Sequence, residues 1–212
     1  QKEEGSDSAF RIVFTGMIYE LQLDAILNLV TVVNELSNVE LQIYAPLTEA
    51  KRRWMGITGD HVIFHGCVSH KELPAIQQNA DILFLPMAFE SVYPHMKKEI
   101  SPDQLQKNLE TGKQVIRTAS PSKLPEYLAS GRPILIHAPE YSYIAWYGKK
   151  YQCAEVVDQP DLGMLRRAIL LLKRDQARCN YLIANARRAA EQHDAAKVSG
   201  MLQQYLGIVH PN

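Results

Sequence analysis

Cysteine is scarce in this 212-residue chain: Cys67, Cys153 and Cys179 stand far apart, and no two form a Cys-x-x-Cys pair. That spacing excludes a disulfide framework and a zinc ribbon, and it fits reduced thiols in a cytoplasmic protein. No apolar run approaches the roughly 20 residues that span a bilayer. The polar stretch 1–8 has no apolar core of a secretory leader. A charge excess of either sign is missing too, since 23 Lys and Arg offset 23 Asp and Glu. A general nucleic-acid binder needs a basic surface to neutralise phosphates, so that class is excluded. One small anionic ligand held by local groups is not.

What is present is an ordinary globular balance, with 46% hydrophobic and 22% charged residues. A chain of this size can bury a core without metals or disulfides. Residues 1–10 read as a linker or boundary segment, 11–206 as one domain and 207–212 as a tail.

Short apolar runs alternate with helical patterns. Strands are expected over 12–14, 41–44, 62–64, 82–85, 134–136 and 154–157. Leu23, Ile26, Leu27, Val30 and Val33 have helical spacing. Shorter or later helices are expected over 51–55, 122–128, 142–146, 161–172, 177–191 and 195–206. Ser69 with Glu72 reads as a capping box that opens a helix running to about Asn79. Residues 90–117 are polar and show no clear strand, with Leu105 and Leu109 hinting at a weak helix. Strands apolar on both faces and separated by helices predict an α/β fold: a Rossmann-like parallel sheet of about six strands with helices on both faces. Such sheets bind ligands beyond the carboxyl ends of their strands.

The densest stretch for chemistry runs from Ser120 to Pro133. Pro121 and Ser122 open a short helix whose free N–H groups suit a phosphate. Lys123 adds a full positive charge. Glu126, one turn on, could accept bonds from both ribose hydroxyls. An ordinary capped helix with a solvated lysine would look the same, so the pattern alone leaves both readings open. His61, His65 and His70 fall on a strand, its end and a helix start, which does not suggest a shared metal, and none is expected. Tyr143, Trp146 and Tyr147 read as packing, and His137 as either structural or donor-facing. Arg187, Arg188 and Lys197 read as a solvated face; peripheral membrane association of a full-length protein is a secondary expectation.

The run Pro-Ser-Lys-Leu-Pro-Glu-Tyr-Leu-Ala-Ser-Gly-Arg-Pro-Ile-Leu, from Pro121 to Leu135, resembles the donor-site signature of the group 1 retaining glycosyltransferases of the GT-B fold. Three further elements resemble that family in the same order: Phe14-Thr15-Gly16, His65-Gly66-Cys67-Val68-Ser69, and the strand Ala80 to Pro86. The resemblance implies the donor-binding half of an enzyme that moves a sugar from a nucleoside-diphosphate sugar to an acceptor hydroxyl. No other cofactor is expected. The acceptor site would lie on a separate N-terminal domain, and this chain alone would be inactive.

By resemblance, Glu126 matches the ribose-binding glutamate, and Ser122 and Lys123 sit beside the diphosphate. Gly66, Cys67 and Val68 wall the nucleobase. Gly16 and Tyr19 belong to the first loop, where Gly16 allows close approach of the phosphates. Arg117, Thr118 and Ser120 line the sugar pocket. Lys123, Glu126 and Glu90 are the catalytic candidates. Two departures stand out. The stretch after Gly16, Met17-Ile18-Tyr19-Glu20-Leu21-Gln22, lacks the cations many relatives carry. The family's upstream glutamate would fall on Thr118 counting back from Glu126, but on Glu90 counting forward from Pro86: either an insertion separates Glu90 from Glu126, or, the preferred reading, this subgroup lacks that acid and Arg117-Thr118-Ala119-Ser120 lines the sugar pocket. A scaffold domain without catalysis and half of a nucleotide-sugar epimerase are the alternatives.

Overall fold

The computed structural model describes residues 9–90 and 100–206. Residues 1–8 of the linker expected over 1–10, the tail over 207–212 and 91–99 of the long polar stretch lie outside them; Phe10, counted with the linker, instead opens the first strand, where it pairs with Val39. Six strands form one parallel sheet: β1 (Phe10–Thr15), β2 (Val39–Tyr44), β3 (Val62–Phe64), β4 (Ile82–Pro86), β5 (Ile134–His137) and β6 (Glu155–Val157). Their order is β3-β2-β1-β4-β5-β6, and each neighbouring pair is parallel. The chain winds outward from β1 to β3, then returns to β4 and winds the other way. That reversal opens a crevice above β1 at the carboxyl edge.

Strand alternation sets the two faces. Ile12, Phe14, Ile82, Phe84 and Leu135 join one buried cluster. Val13, Leu83, Leu85, Ile134 and Ile136 join the other. A one-residue slip in register would exchange these sets. Helices α1 (Glu20–Asn34) and α7 (Leu162–Arg174) cover the first face, with Leu23, Ile26, Leu29 and Val33 meeting Leu165, Ile169 and Leu172. Helices α5 (Lys123–Ala129) and α6 (Tyr143–Tyr151) cover the second through Leu124, Tyr127, Leu128, Ile144 and Ala145. Helix α8 (Gln176–Ala190) wraps the edge, its Cys179 and Leu182 in the first cluster and Ala186 and Ala189 in the second. Each fully buried aliphatic or aromatic side chain contributes about 1.5–3 kcal/mol of transfer free energy, so the pattern strongly favours this one register.

Three local expectations change. The helix foreseen from Ser69 is α3 (Leu73–Gln78), which begins four residues later. Glu72 does reach Ser69, but its carboxylate accepts both the Ser69 N–H (2.9 Å) and its hydroxyl (2.6 Å). The pair therefore closes a turn, with Pro74 in the first helical turn behind it. The weak helix foreseen within 90–117 is the 17-residue α4 (Pro102–Thr118). Ser101 caps it by accepting from the Gln104 N–H at 3.3 Å, and Pro102 fills its first position. Gln104–Asn108 and Gln106–Glu110 bonds one turn apart support its polar face. Only Gly112 and Ile116 of α4 are buried, which is why its periodicity was faint. Helix α6 also runs further than the expected 142–146, and Ser142 caps it by accepting from the Ala145 N–H at 3.2 Å.

The remaining helices are α2 (Glu49–Trp54) and α9 (Ala195–Tyr205). Among the described residues no helix is long and apolar enough to cross a membrane.

Candidate functional site

A cleft of ≈ 470 Å³ opens at the carboxyl edge of the sheet. Thr15 and Gly16 come from the end of β1, Tyr44 and Pro46 from the end of β2, and Cys67, Val68, His70 and Leu73 from the segment joining β3 to α3. Met17 and Tyr19 close it from the loop before α1, and Pro121, Ser122, Lys123 and Glu126 from the start of α5. Strand ends and a helix start converge here, as the winding order dictates. A second cavity of ≈ 360 Å³ adjoins it and shares His70, Leu73 and Glu126.

Gly16 and Lys123 are built around each other. The backbone at Gly16 has φ +105°, a conformation L side chains rarely adopt. A Cβ placed there would lie 2.5 Å from Lys123 Cε and 3.0 Å from its Nζ. The lysine thus lies across the bare backbone at the tip of β1. Its Nζ stands 5.2 Å from the centre of the buried Phe14 ring, a favourable position for a cation. Burial lowers the Lys123 pKa, and the nearby Glu126 carboxylate opposes that shift. The Gly16 N–H donates to Tyr44 O at 2.7 Å, so it continues the sheet.

Tyr127 fixes the helix that carries Lys123. Its hydroxyl is fully buried, accepts from the Thr15 N–H at 3.1 Å and shares a bond of 3.1 Å with Thr15 Oγ1. Burial pushes the phenol up to about 12, against the lowering effect of the two Thr15 bonds. One turn of helix thereby locks α5 to the end of β1. Glu126 faces outward beside this lock and accepts from Gln77 Nε2 at 3.4 Å. Ser122 precedes α5 with helical backbone angles, and its side chain caps nothing.

The cleft gathers Gly16, Tyr19, Cys67, Val68, Ser122, Lys123 and Glu126 of the residues expected from the sequence. Gly66 is not in the lining; with φ +73° it turns the chain just before Cys67. Arg117 and Thr118 lie exposed on the last turn of α4, and the Thr118 hydroxyl donates back to Gln114 O at 3.3 Å. Ser120 is exposed between the two helices and outside the lining. Glu90 leaves β4 at a different place. Its N–H donates to Asp24 Oδ2 at 2.7 Å, and the Phe89 N–H donates to the same carboxylate. Helix α4 lies between Glu90 and α5 in the chain, so Glu90 and Thr118, the two positions weighed for the upstream acid, stand at different places, neither in the cleft lining.

The lining adds residues that sequence reasoning did not single out, Tyr44, Pro46 and Leu73, and includes His70, weighed from the sequence only as a metal ligand. Tyr44 ends β2, and the strand-end rule would have found it. The histidines disperse. His61 Nδ1 bonds Val39 O at 3.0 Å, His65 stacks on Tyr44, and His70 lines the cleft. His137 is structural. Its Nδ1 donates to Val157 O at 3.0 Å, which leaves Nε2 to accept from Asn28 Nδ2 at 3.1 Å. Burial takes its pKa down to about 4, the Val157 bond opposing.

No known family profile matches the sequence, and no curated protein is similar to it by sequence. Solved structures are similar in fold. The C-terminal domain of a glycosyl transferase group 1 family protein from Francisella tularensis covers 90% of this chain, with 88% of that domain matched, a TM-score of 0.55 and 11% identity. Sucrose-phosphate synthase from Thermosynechococcus elongatus covers 95% with a TM-score of 0.66 and 16% identity. An Anabaena protein solved with UDP-glucose covers 95% with a TM-score of 0.64 and 11% identity. The chain spans 46% and 49% of the length of the last two. This sheet with its flanking helices has the fold of the C-terminal half of a GT-B glycosyltransferase.

Proposed function

We propose that the chain is the donor-binding half of a glycosyltransferase, taking a nucleoside-diphosphate sugar and facing an acceptor held by another domain. One observation carries the reading: Lys123 lies across the side-chain-free backbone of Gly16, with Glu126 one turn deeper in the same cleft. A cation beside bare backbone can meet phosphate oxygens closely, and a carboxylate at that distance along the helix can accept from ribose hydroxyls. In the reaction Lys123 stabilises negative charge on the departing phosphate, which is where electrostatic help lowers the barrier. Tyr127 holds that lysine in place before the donor arrives. Half a cleft binds donor weakly and transfers nothing.

The UDP-glucose complex of the Anabaena protein supports a nucleotide-sugar ligand for this fold. A scaffold without catalysis is the competing reading, favoured by Met17 to Gln22, where no cation follows Gly16. Calorimetric titration of the chain with UDP, GDP and ADP separates the two. The donor reading expects saturable binding that weakens about tenfold or more in Lys123→Ala, the loss of a charge-assisted bond. Glu126→Gln should weaken nucleotide binding as well. Absence of saturable binding by any of the three nucleotides favours the scaffold.

A further inference from the structure

Helix α3 buries one side chain, and that side chain is polar: Gln77, 4% exposed. A leucine or methionine would fill the same space with no polar group to satisfy, and a buried amide left unbonded costs free energy. The amide of Gln77 is bonded. Its Nε2 donates to Glu126 Oε2 at 3.4 Å, and among the described residues it is the one hydrogen-bond partner of that carboxylate. An ionised carboxylate only accepts, so the amide must turn its NH2 toward it. The two meet from a definite side. Glu126 lines both cavities, whereas Gln77 lines only the smaller one. A carboxylate has about four lone-pair positions, so one bond from the smaller cavity leaves others for a ligand in the larger cleft. Helix α3 is itself anchored, by the Ser69–Glu72 turn before it and by Arg132 Nε, which donates to Gln78 O at its end.

We propose that Gln77 is a positioning residue: it holds the Glu126 carboxylate in the orientation that grips a nucleotide's ribose, and so sets a preference for ribose over 2′-deoxyribose. The assignment rests on the donor-binding reading and identifies what keeps its carboxylate in place. A glutamate side chain turns about several bonds, and fixing it before the ligand arrives lowers the entropy cost of the ribose contact. A carboxylate that accepts from two neighbouring hydroxyls needs a set plane, and a bonded neighbour behind it supplies one. At 3.4 Å the bond is long, as such bonds are before a ligand completes the site. Lys123 also attracts Glu126, but an ammonium on a flexible stem acts as a point charge and sets no plane.

Calorimetric titrations of the full chain with UDP, GDP and ADP, and with their 2′-deoxy counterparts, should compare the unaltered protein with Gln77→Met and Gln77→Leu. Both replacements fill the buried space without a donor, melting curves show which folds, and either one carries the test. The nucleotide that binds the unaltered chain should bind about fivefold more weakly to the variant. Its 2′-deoxy form, which offers Glu126 one hydroxyl fewer, should change by less than about twofold. In a Glu126→Ala background the same substitution should cost nothing further, because its route to the nucleotide is gone. Unchanged affinity for the ribose form overturns the positioning role and leaves the donor reading standing. Equal losses for both sugar forms, an undiminished loss in the Glu126→Ala background, or loss of the fold in both variants also overturns it and assigns Gln77 to the fold alone. An unaltered chain with no preference for the ribose form overturns it together with the ribose role of Glu126, while nucleotide binding stands. If that chain binds none of the three nucleotides, both the positioning role and the donor reading fall.

Discussion

Replacing Gly16 by alanine tests the site and the fold together. At φ +105° the new Cβ would sit 2.5 Å from Lys123 Cε and 3.0 Å from Nζ. Two costs follow. The backbone strain at such an angle is about 1–3 kcal/mol, a substantial share of a stability of about 5–15 kcal/mol. In a domain of this size each kcal/mol lowers Tm by about 2–4 °C. The clash is with a flexible side chain, so Lys123 moves aside at little cost, and its ammonium leaves the tip of β1. Nucleotide affinity should then fall toward that of Lys123→Ala, a loss of about 1.5–3 kcal/mol for a charge-assisted bond. Thermal melts and calorimetric titration of both single variants and the double variant read the two effects separately. Binding losses should not add, because both substitutions remove the same cation. The stability loss should follow Gly16→Ala in either background. Full additivity of the binding losses, or a Gly16→Ala protein with unchanged melting and affinity, would refute the reasoning.

Tyr127→Phe leaves the Thr15 N–H and hydroxyl without their buried partner, and denaturant unfolding should show a loss of about 1–3 kcal/mol. His137 is buried neutral, with its pKa lowered from 6.5 to about 4. The unfolded chain therefore takes up this proton first, and stability should be complete above pH 6.5 and fall by at most about 1.4 kcal/mol per pH unit between 6.5 and 4. A His137→Gln variant that keeps the same slope in denaturant midpoints would assign the loss to other groups. Cys67 is exposed in the cleft wall, whereas Cys153 and Cys179 are buried. Burial pushes the Cys153 thiol up to about 11 and raises that of Cys179. N-ethylmaleimide near neutral pH should modify Cys67 alone, and nucleotide should slow it; mass spectrometry of the labelled peptides decides.

The sheet was legible because burial on both faces leaves continuous apolar runs. Ile12–Phe14 and Ile82–Leu85 have no polar residue to confuse the period, and their alternating faces appear once both helical layers are in place. Helix α4 was the weak point for the opposite reason. With only Gly112 and Ile116 buried, most of its stability comes from its cap and from bonds along its own surface, which leave little hydrophobic periodicity. Ser69 and Glu72 misled because the same reciprocal chemistry that opens a helix also closes a turn, and only the backbone beyond decides between them.

The site was half legible. Lys123, Glu126 and Gly16 stand on the strand end and helix start that any doubly wound sheet brings together, so spacing in the sequence carried their placement. Partners from distant elements were not readable in that way. Nothing local in Tyr127 announces its bond to Thr15, 112 residues away. Nothing in Tyr44 announces the ring of His65. Tyr127 bears on the charge balance of the cleft, because it sets where Lys123 stands. Among the described residues lining it, Lys123 is the one lysine or arginine, and Glu126 offsets it. Under the proposed donor reading, a diphosphate there would meet little net positive charge, so position would have to do what a second cation otherwise does. Tyr127 fixes α5 to the end of β1, and with it the lysine over bare backbone. On the same reading, this balance predicts weak nucleotide binding by this chain alone.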